Sequence, residues 1–186
     1  MLENLFNLVK EQAGTAIIDN PAIPNEHNEA AVSTAGNSIA SGLQQLMSSG
    51  GMKDVLKLFG GQGGDLQSNP VTQALSGNVI QDLMSKFNLD QQSATAAAGN
   101  LVPGVLQQLI SKTNDPSDNS FDLQGIFNSL SGGKTSGLDV QGLLGKVTGG
   151  GLDKDGDGDT DLNDVKAMFQ GGGSGIMDNL KGLFGS

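Results

Sequence analysis

Six aspartates fall within twelve residues, in the run Asp153-Lys-Asp-Gly-Asp-Gly-Asp-Thr-Asp-Leu-Asn-Asp164. Counted from Asp153 they occupy positions 1, 3, 5, 7, 9 and 12, with glycine at position 6. Calcium is a hard cation that takes about six to eight oxygens at ~2.3–2.6 Å. Alternate residues of a tightly curled loop turn their carboxylates inward, which brings Asp153, Asp155 and Asp157 to one side of an ion. Gly158 permits the sharp turn that reverses the chain. Asp159 then offers its backbone carbonyl, and Asp161 ligates directly or through water. Asp164 closes the site from the first turn of an exiting helix, whose apolar face is Leu162, Val165, Met168 and Phe169. Six like charges so close together repel one another without a cation. The bland alternative is a solvated acidic turn, which gives no reason for glycine at position 6 or for acids on the coordination spacing.

The spacing is that of the EF-hand loop. Two positions depart from it. Asp164 stands where glutamate is usual and is one methylene shorter, and Thr160 stands at position 8, where an apolar residue is usual. Aspartate at position 12 resembles the calcium loops of dockerin modules. Its looser bidentate reach implies a dissociation constant of ~10⁻⁵ to 10⁻³ M. EF-hand loops commonly pair, and a second acidic stretch exists at Asp115, Asp118, Asn119 and Asp122. Pro116 interrupts it and no sixth-position glycine follows, so it reads better as a capped loop. Pairing between the loops of two subunits is another route.

The elements around the loop form a repeat. Phe121-Asp-Leu-Gln-Gly-Ile-Phe-Asn-Ser-Leu-Ser-Gly-Gly133 returns 17 residues later as Leu138-Asp-Val-Gln-Gly-Leu-Leu-Gly-Lys-Val-Thr-Gly-Gly150. A weaker third copy runs Asp161-Leu-Asn-Asp-Val-Lys-Ala-Met-Phe-Gln-Gly-Gly172. In each, aspartate caps a short amphipathic helix and glycine ends it. The connection before the third copy is longer and holds the acidic loop, as if one turn had been enlarged into a metal site. A repeat that cannot bury its own face stacks on neighbours.

Upstream, apolar residues at 3–4 spacing predict a helix over Leu2–Ile17 and a second over about Glu26–Met47, broken apart by Pro21 and Pro24. Ala31, Gly36, Ala40 and Gly42 allow close helix approach along the second. Met52–Phe59 is a short piece. Asn69-Pro70 starts a helix carrying Val71, Leu75, Val79, Ile80, Leu83 and Phe87. Asp90 starts an Ala-rich helix expected to end near Gly99, with a separate short helix over Leu101–Ile110. The polar run over 114–120 is the expected linker between an N-terminal helical region (1–113) and a Gly-rich helical repeat region (121–186). No stretch alternates with period 2. The expected fold is all-α: an array or bundle of short helices with Gly-rich connections and one EF-hand-like calcium loop.

Composition closes off other classes. The 186 residues carry a net charge of −10, no Arg and no Cys. Nucleic-acid binding needs clustered cations to displace counterions, so no nucleic-acid partner is expected. Anionic membranes are disfavoured by the same argument. The amphipathic segment with Ile176, Met177, Leu180, Leu183 and Phe184 lacks the basic face of a membrane anchor, so packing within or between subunits suits it better. Thiolate metal sites and disulfides are excluded. An acid near the start and no apolar run give no signal peptide, which implies a cytoplasmic protein, with export by a non-classical route left open. His27 stands alone, without partners for a triad or a His-based metal site. Gly132-Gly-Lys-Thr135 lacks the upstream glycine and strand of a phosphate loop. With 36% apolar residues and 4% aromatic, a thin or distributed core is expected, completed by another copy of the chain.

The Gly-rich tail, the Gly-Leu-Leu-type repeats and the Leu-Asp-x-Asp-Gly-Asp-Gly loop together resemble the YidB-like group of bacterial proteins. The likeness rests on Val79–Ile110 and Val140–Phe169. It implies a small helical bacterial protein and adds little about activity. The expected function is a non-enzymatic, calcium-binding structural protein that self-associates as a homo-oligomer. The alternative is a calcium-responsive switch that exposes an apolar face to a partner protein or membrane.

Overall fold

Short polar side chains set the helix starts. The carboxamide oxygen of Asn69 accepts the Val71 amide at 2.9 Å, with Pro70 at the first helical position. Asp90 accepts the Ser93 amide at 3.0 Å, Asp122 the Gly125 amide at 2.7 Å, and Asp139 the Gly142 amide at 2.9 Å. Each satisfies an amide that has no partner inside its helix. Glycine sets several stops. Gly50 and Gly132 take left-handed backbone, which lets the Gly51 amide reach the Leu46 carbonyl and the Gly133 amide reach that of Asn128.

The computed structural model describes residues 2–115, 117, 121–133 and 135–148. It is all-α, with seven α-helices and no strand among the described residues. They are α1 (Leu2–Ala13), α2 (Asn28–Ser48), α3 (Met52–Lys57), α4 (Pro70–Phe87), α5 (Gln91–Thr113), α6 (Leu123–Leu130) and α7 (Val140–Thr148). Wider π turns extend α1 over Gly14–Ile18 and α3 over Leu58–Gln62.

One expectation fails here. The chain does not break near Gly99; α5 runs unbroken through Pro103. An internal proline costs a helix about 3 kcal/mol. Ala98, Leu101, Val102, Val105 and Leu106 are all fully buried around it. At about 1.5–3 kcal/mol for each fully buried aliphatic side chain, two or three of them outweigh the proline.

The four long helices pack in a ring, α1 on α2, α2 on α4, α4 on α5 and α5 on α1. Helix α7 packs against both α3 and α6, with α6 also against α2 and the turn after α3 against α5. The rings of Phe59 and Phe127 meet edge to face, with centroids 5.8 Å apart, across the 114–120 segment. Buried residues from Leu5 to Val140 form one continuous cluster. The thin core expected from composition is therefore not found. Small residues explain the difference. A Cβ built on Gly36 would lie 2.6 Å from the Phe6 ring, and one on Gly42 would lie 2.5 Å from Leu75. Bare backbone at these points lets the helices close up on modest side chains.

The chain also contains two copies of one three-helix unit. Ala35-Gly-Asn37 and Leu43-Gln-Gln-Leu46 in α2 recur as Ala98-Gly-Asn100 and Leu106-Gln-Gln-Leu109 in α5. The buried positions Leu5, Val9, Ala13 and Ile17 of the first helix match Val71, Leu75, Val79 and Leu83 of α4. Met52, Val55, Leu56 and Phe59 match Leu123, Ile126, Phe127 and Leu130, each set followed by a left-handed glycine, Gly61 or Gly132. Contacts obey the same exchange: α2 on α4 answers to α5 on α1.

Three outcomes are expected. Gly42→Ala, at a closed contact, lowers stability by about 1–3 kcal/mol in chemical denaturation, against a helix-propensity gain of about 1 kcal/mol. Gly77→Ala on α4, with nothing within 4 Å of its added carbon, raises stability by up to about 1 kcal/mol. The third outcome concerns Asp90. Its bonds from the Ser93 hydroxyl, then from the Ser93 amide, hold its carboxyl below the ordinary value. A carboxylate depressed in the folded state stabilises it above the unfolded pKa, and that gain is lost as pH falls through the folded value. Asp90→Ala therefore lowers the melting temperature at neutral pH and lowers it less in strong acid, where only the neutral cap of the parent remains to be lost.

Candidate metal centre and polar cleft

The aspartates expected to hold calcium, Asp153, Asp155, Asp157, Asp159, Asp161 and Asp164, lie outside the described residues. The platform ahead of them is described, and it is the first two copies of the short repeat. One side chain joins those copies. The Gln124 amide nitrogen donates to the Thr135 carbonyl at 3.0 Å, and its carbonyl oxygen accepts the Val140 amide at 3.1 Å. Beneath it the Ser131 and Thr135 hydroxyl oxygens lie 3.1 Å apart, and Ser131 accepts the Thr135 amide at 3.1 Å. Thr135 is fully buried, so its polar atoms must be satisfied within the turn. The start of α7 is thus fixed relative to α6 by side-chain hydrogen bonds.

The other polar features flagged by the sequence resolve simply. Asp115 accepts the amide and the hydroxyl of Ser117 at 2.8 and 2.6 Å, and Asp122 caps α6. Asp118 and Asn119 lie outside the described residues. Among the described residues, no three of His, Cys, Asp or Glu gather as a metal site. His27 sits on the exposed turn before α2, its ring centroid 6.1 Å from that of Phe87. Gly132 and Gly133 end α6 with positive φ. No helix among the described residues is long and apolar enough to cross a membrane.

A second site was not expected. Between α2 and α4 lies a cleft of about 320 Å³, lined by Asn37, Ser38, Ser41 and Gln45 on one side and Asn78, Gln81, Asp82 and Lys86 on the other. At its base Ser38 is 4% exposed. Its hydroxyl lies between two acceptors, the Thr34 carbonyl at 2.8 Å and an Asp82 carboxylate oxygen. The other Asp82 oxygen pairs with Lys86 at 3.7 Å. The signal in the sequence was a polar stripe at helical spacing, Asn37, Ser41 and Gln45. Alone, such a stripe is indistinguishable from a solvated helix face.

No family model, curated protein or solved structure matches this chain. The likeness to the YidB-like group therefore rests on the residues quoted for it.

Gln124 supplies two hydrogen bonds at about 0.5–1.5 kcal/mol each. Gln124→Ala is expected to lower stability by about 1–3 kcal/mol in denaturant titration. Gln124→Glu, which keeps only the acceptor, should fall between.

Proposed function

We propose that the chain is a non-enzymatic calcium-binding structural protein. One calcium ion orders the Asp153–Asp164 loop between two short helices, and the stacked repeat supports self-association into a homo-oligomer. The likeness to the YidB-like group, a set of small helical bacterial proteins, belongs to this reading.

The observation that carries it is the phase of the repeat. In both described copies the leading aspartate is a helix N-cap that accepts the amide three residues on. The same register matches Asp161 to Asp122 and Asp139, and Asp164 to Gly125 and Gly142. Those two aspartates are also positions 9 and 12 of the twelve-residue calcium spacing. A carboxylate at the third position of a capped helix is where the closing ligand of such a loop belongs. The capping repeat and the coordination spacing thus run in step, which an acidic linker has no reason to maintain.

Calcium bound by the folded state alone stabilises it by mass action, about 2.7 kcal/mol at a hundred times the dissociation constant. In thermal melts of the full chain, calcium should raise the transition of the parent. Asp155→Ala should abolish that gain and melt with the parent in chelator. Identical melting of parent and variant in millimolar calcium, with no heat in a calcium titration, overturns the reading. A calcium-dependent rise in the binding of an apolar dye moves it to the switch alternative. Sizing with and without chelator tests the oligomer.

A further inference from the structure

The duplicated unit supplies a comparison within one molecule. The seam of α2 on α4 has a counterpart in the seam of α5 on α1. There the register replaces Ser38 by Leu101 and Asp82 by Ala16, both buried. It replaces Ser41 by Gly104 and Asn78 by Gln12. The Gln12 carboxamide lies over Gly104, so close that an added Cβ would meet its oxygen at 2.6 Å. The second seam is closed by its own side chains. The first seam is also tight at Gly42, where an added Cβ would meet Leu75 at 2.5 Å and the Asn78 amide nitrogen at 2.9 Å, but beside that contact it keeps a polar cleft. The fold therefore has no need of a hydroxyl at 38 or a carboxylate at 82. Burying such groups costs desolvation that an apolar pair avoids.

We propose that the α2–α4 cleft binds a neutral polyhydroxylated ligand, a sugar or polyol. The carboxamides of Asn37, Gln45, Asn78 and Gln81 each offer donors and an acceptor, and Ser41 offers both in one hydroxyl. All five residues are exposed on the facing sides of the two helices. Adjacent hydroxyls on a sugar ring present the same alternation of donor and acceptor. Asp82, tethered by Ser38, is a ready acceptor for a ligand hydroxyl, and Lys86 balances its charge. A cleft without net charge has no call for an ionic ligand. Its volume stands at the lower end of the ~300–1,000 Å³ of ligand pockets, enough for one or two rings. Without an aromatic wall for stacking, binding is weak, with a dissociation constant on the order of 1 mM.

The test is a titration of the full chain, followed by backbone amide shifts in nuclear magnetic resonance. The probes are glucose, trehalose and glycerol as neutral ligands, with glucuronate and glucosamine as charged controls. The expected result is saturable shifts from a neutral probe, confined to 37–45 of α2 and 78–86 of α4, and weaker shifts from the charged sugars. The pair Ser38→Leu with Asp82→Ala installs the residues of the closed seam. It should weaken binding at least tenfold while keeping or raising the melting temperature. The exposed pair Gln45→Ala with Gln81→Ala should weaken binding without touching the buried base. No saturable shift by about 100 mM of any neutral probe, shifts scattered over the surface, or binding unchanged in both pairs overturns the proposal.

Discussion

Helix backbones must come close in this protein, because its core is short of aromatic side chains and mixes alanine among its leucines. Ala13, Ala31, Ala35, Ala94, Ala97 and Ala98 are buried, and the ring of long helices holds no fully buried aromatic. Alanine fills little space, so density is reached by bringing the helix axes together. Gly36, Gly42 and Gly104 mark where the approach is tightest. The cluster of short helices solves the same problem differently, by setting Phe59 against Phe127. That contact ties the first half of the chain to the region beyond residue 120.

The all-α class was legible from periodicity, and the caps Asn69, Asp90, Asp122 and Asp139 from residue type and position. Those are local effects, decided within a few residues. Two features were not local. Pro103 reads as a breaker in any short window, and only burial on both sides of it keeps α5 whole. Close approach along α2 was legible in Ala31, Gly36, Ala40 and Gly42, but which neighbour each glycine meets, Phe6 at Gly36 and Leu75 at Gly42, was not. The polar cleft escaped for a related reason. Asn37, Ser41 and Gln45 look like a solvated face until α4 brings Asn78, Gln81 and Asp82 opposite. The calcium loop was read from spacing alone and lies outside the described residues, so the sequence remains its whole support.

The short repeat and the three-helix unit are parts of one pattern. Helix α3 matches α6 in its buried positions and in its terminal glycine, and α6 matches α7 in its cap. The same brief element, about ten residues ending in glycine, serves as the closing piece of each unit and then as the start of a tandem series. In this series the Gln124 bridge sets the spacing between successive copies. The proposed calcium loop lengthens one connection and substitutes a metal ion for side-chain hydrogen bonds as the fixing device.

The exchange of partners between the two units, α1 with α5 and α2 with α4, has a consequence for how the chain is made. The first unit leaves the ribosome before α5 and α4 exist to cover the faces of α1 and α2 that they pack against. At ~5–20 residues per second, the wait for α4 and α5 is on the order of several seconds, whereas helix formation and collapse take well under a millisecond. The newborn half is thus sticky for thousands of its own relaxation times. Because its missing half is built to nearly the same plan, the surface most able to capture it in that interval is another nascent copy of itself.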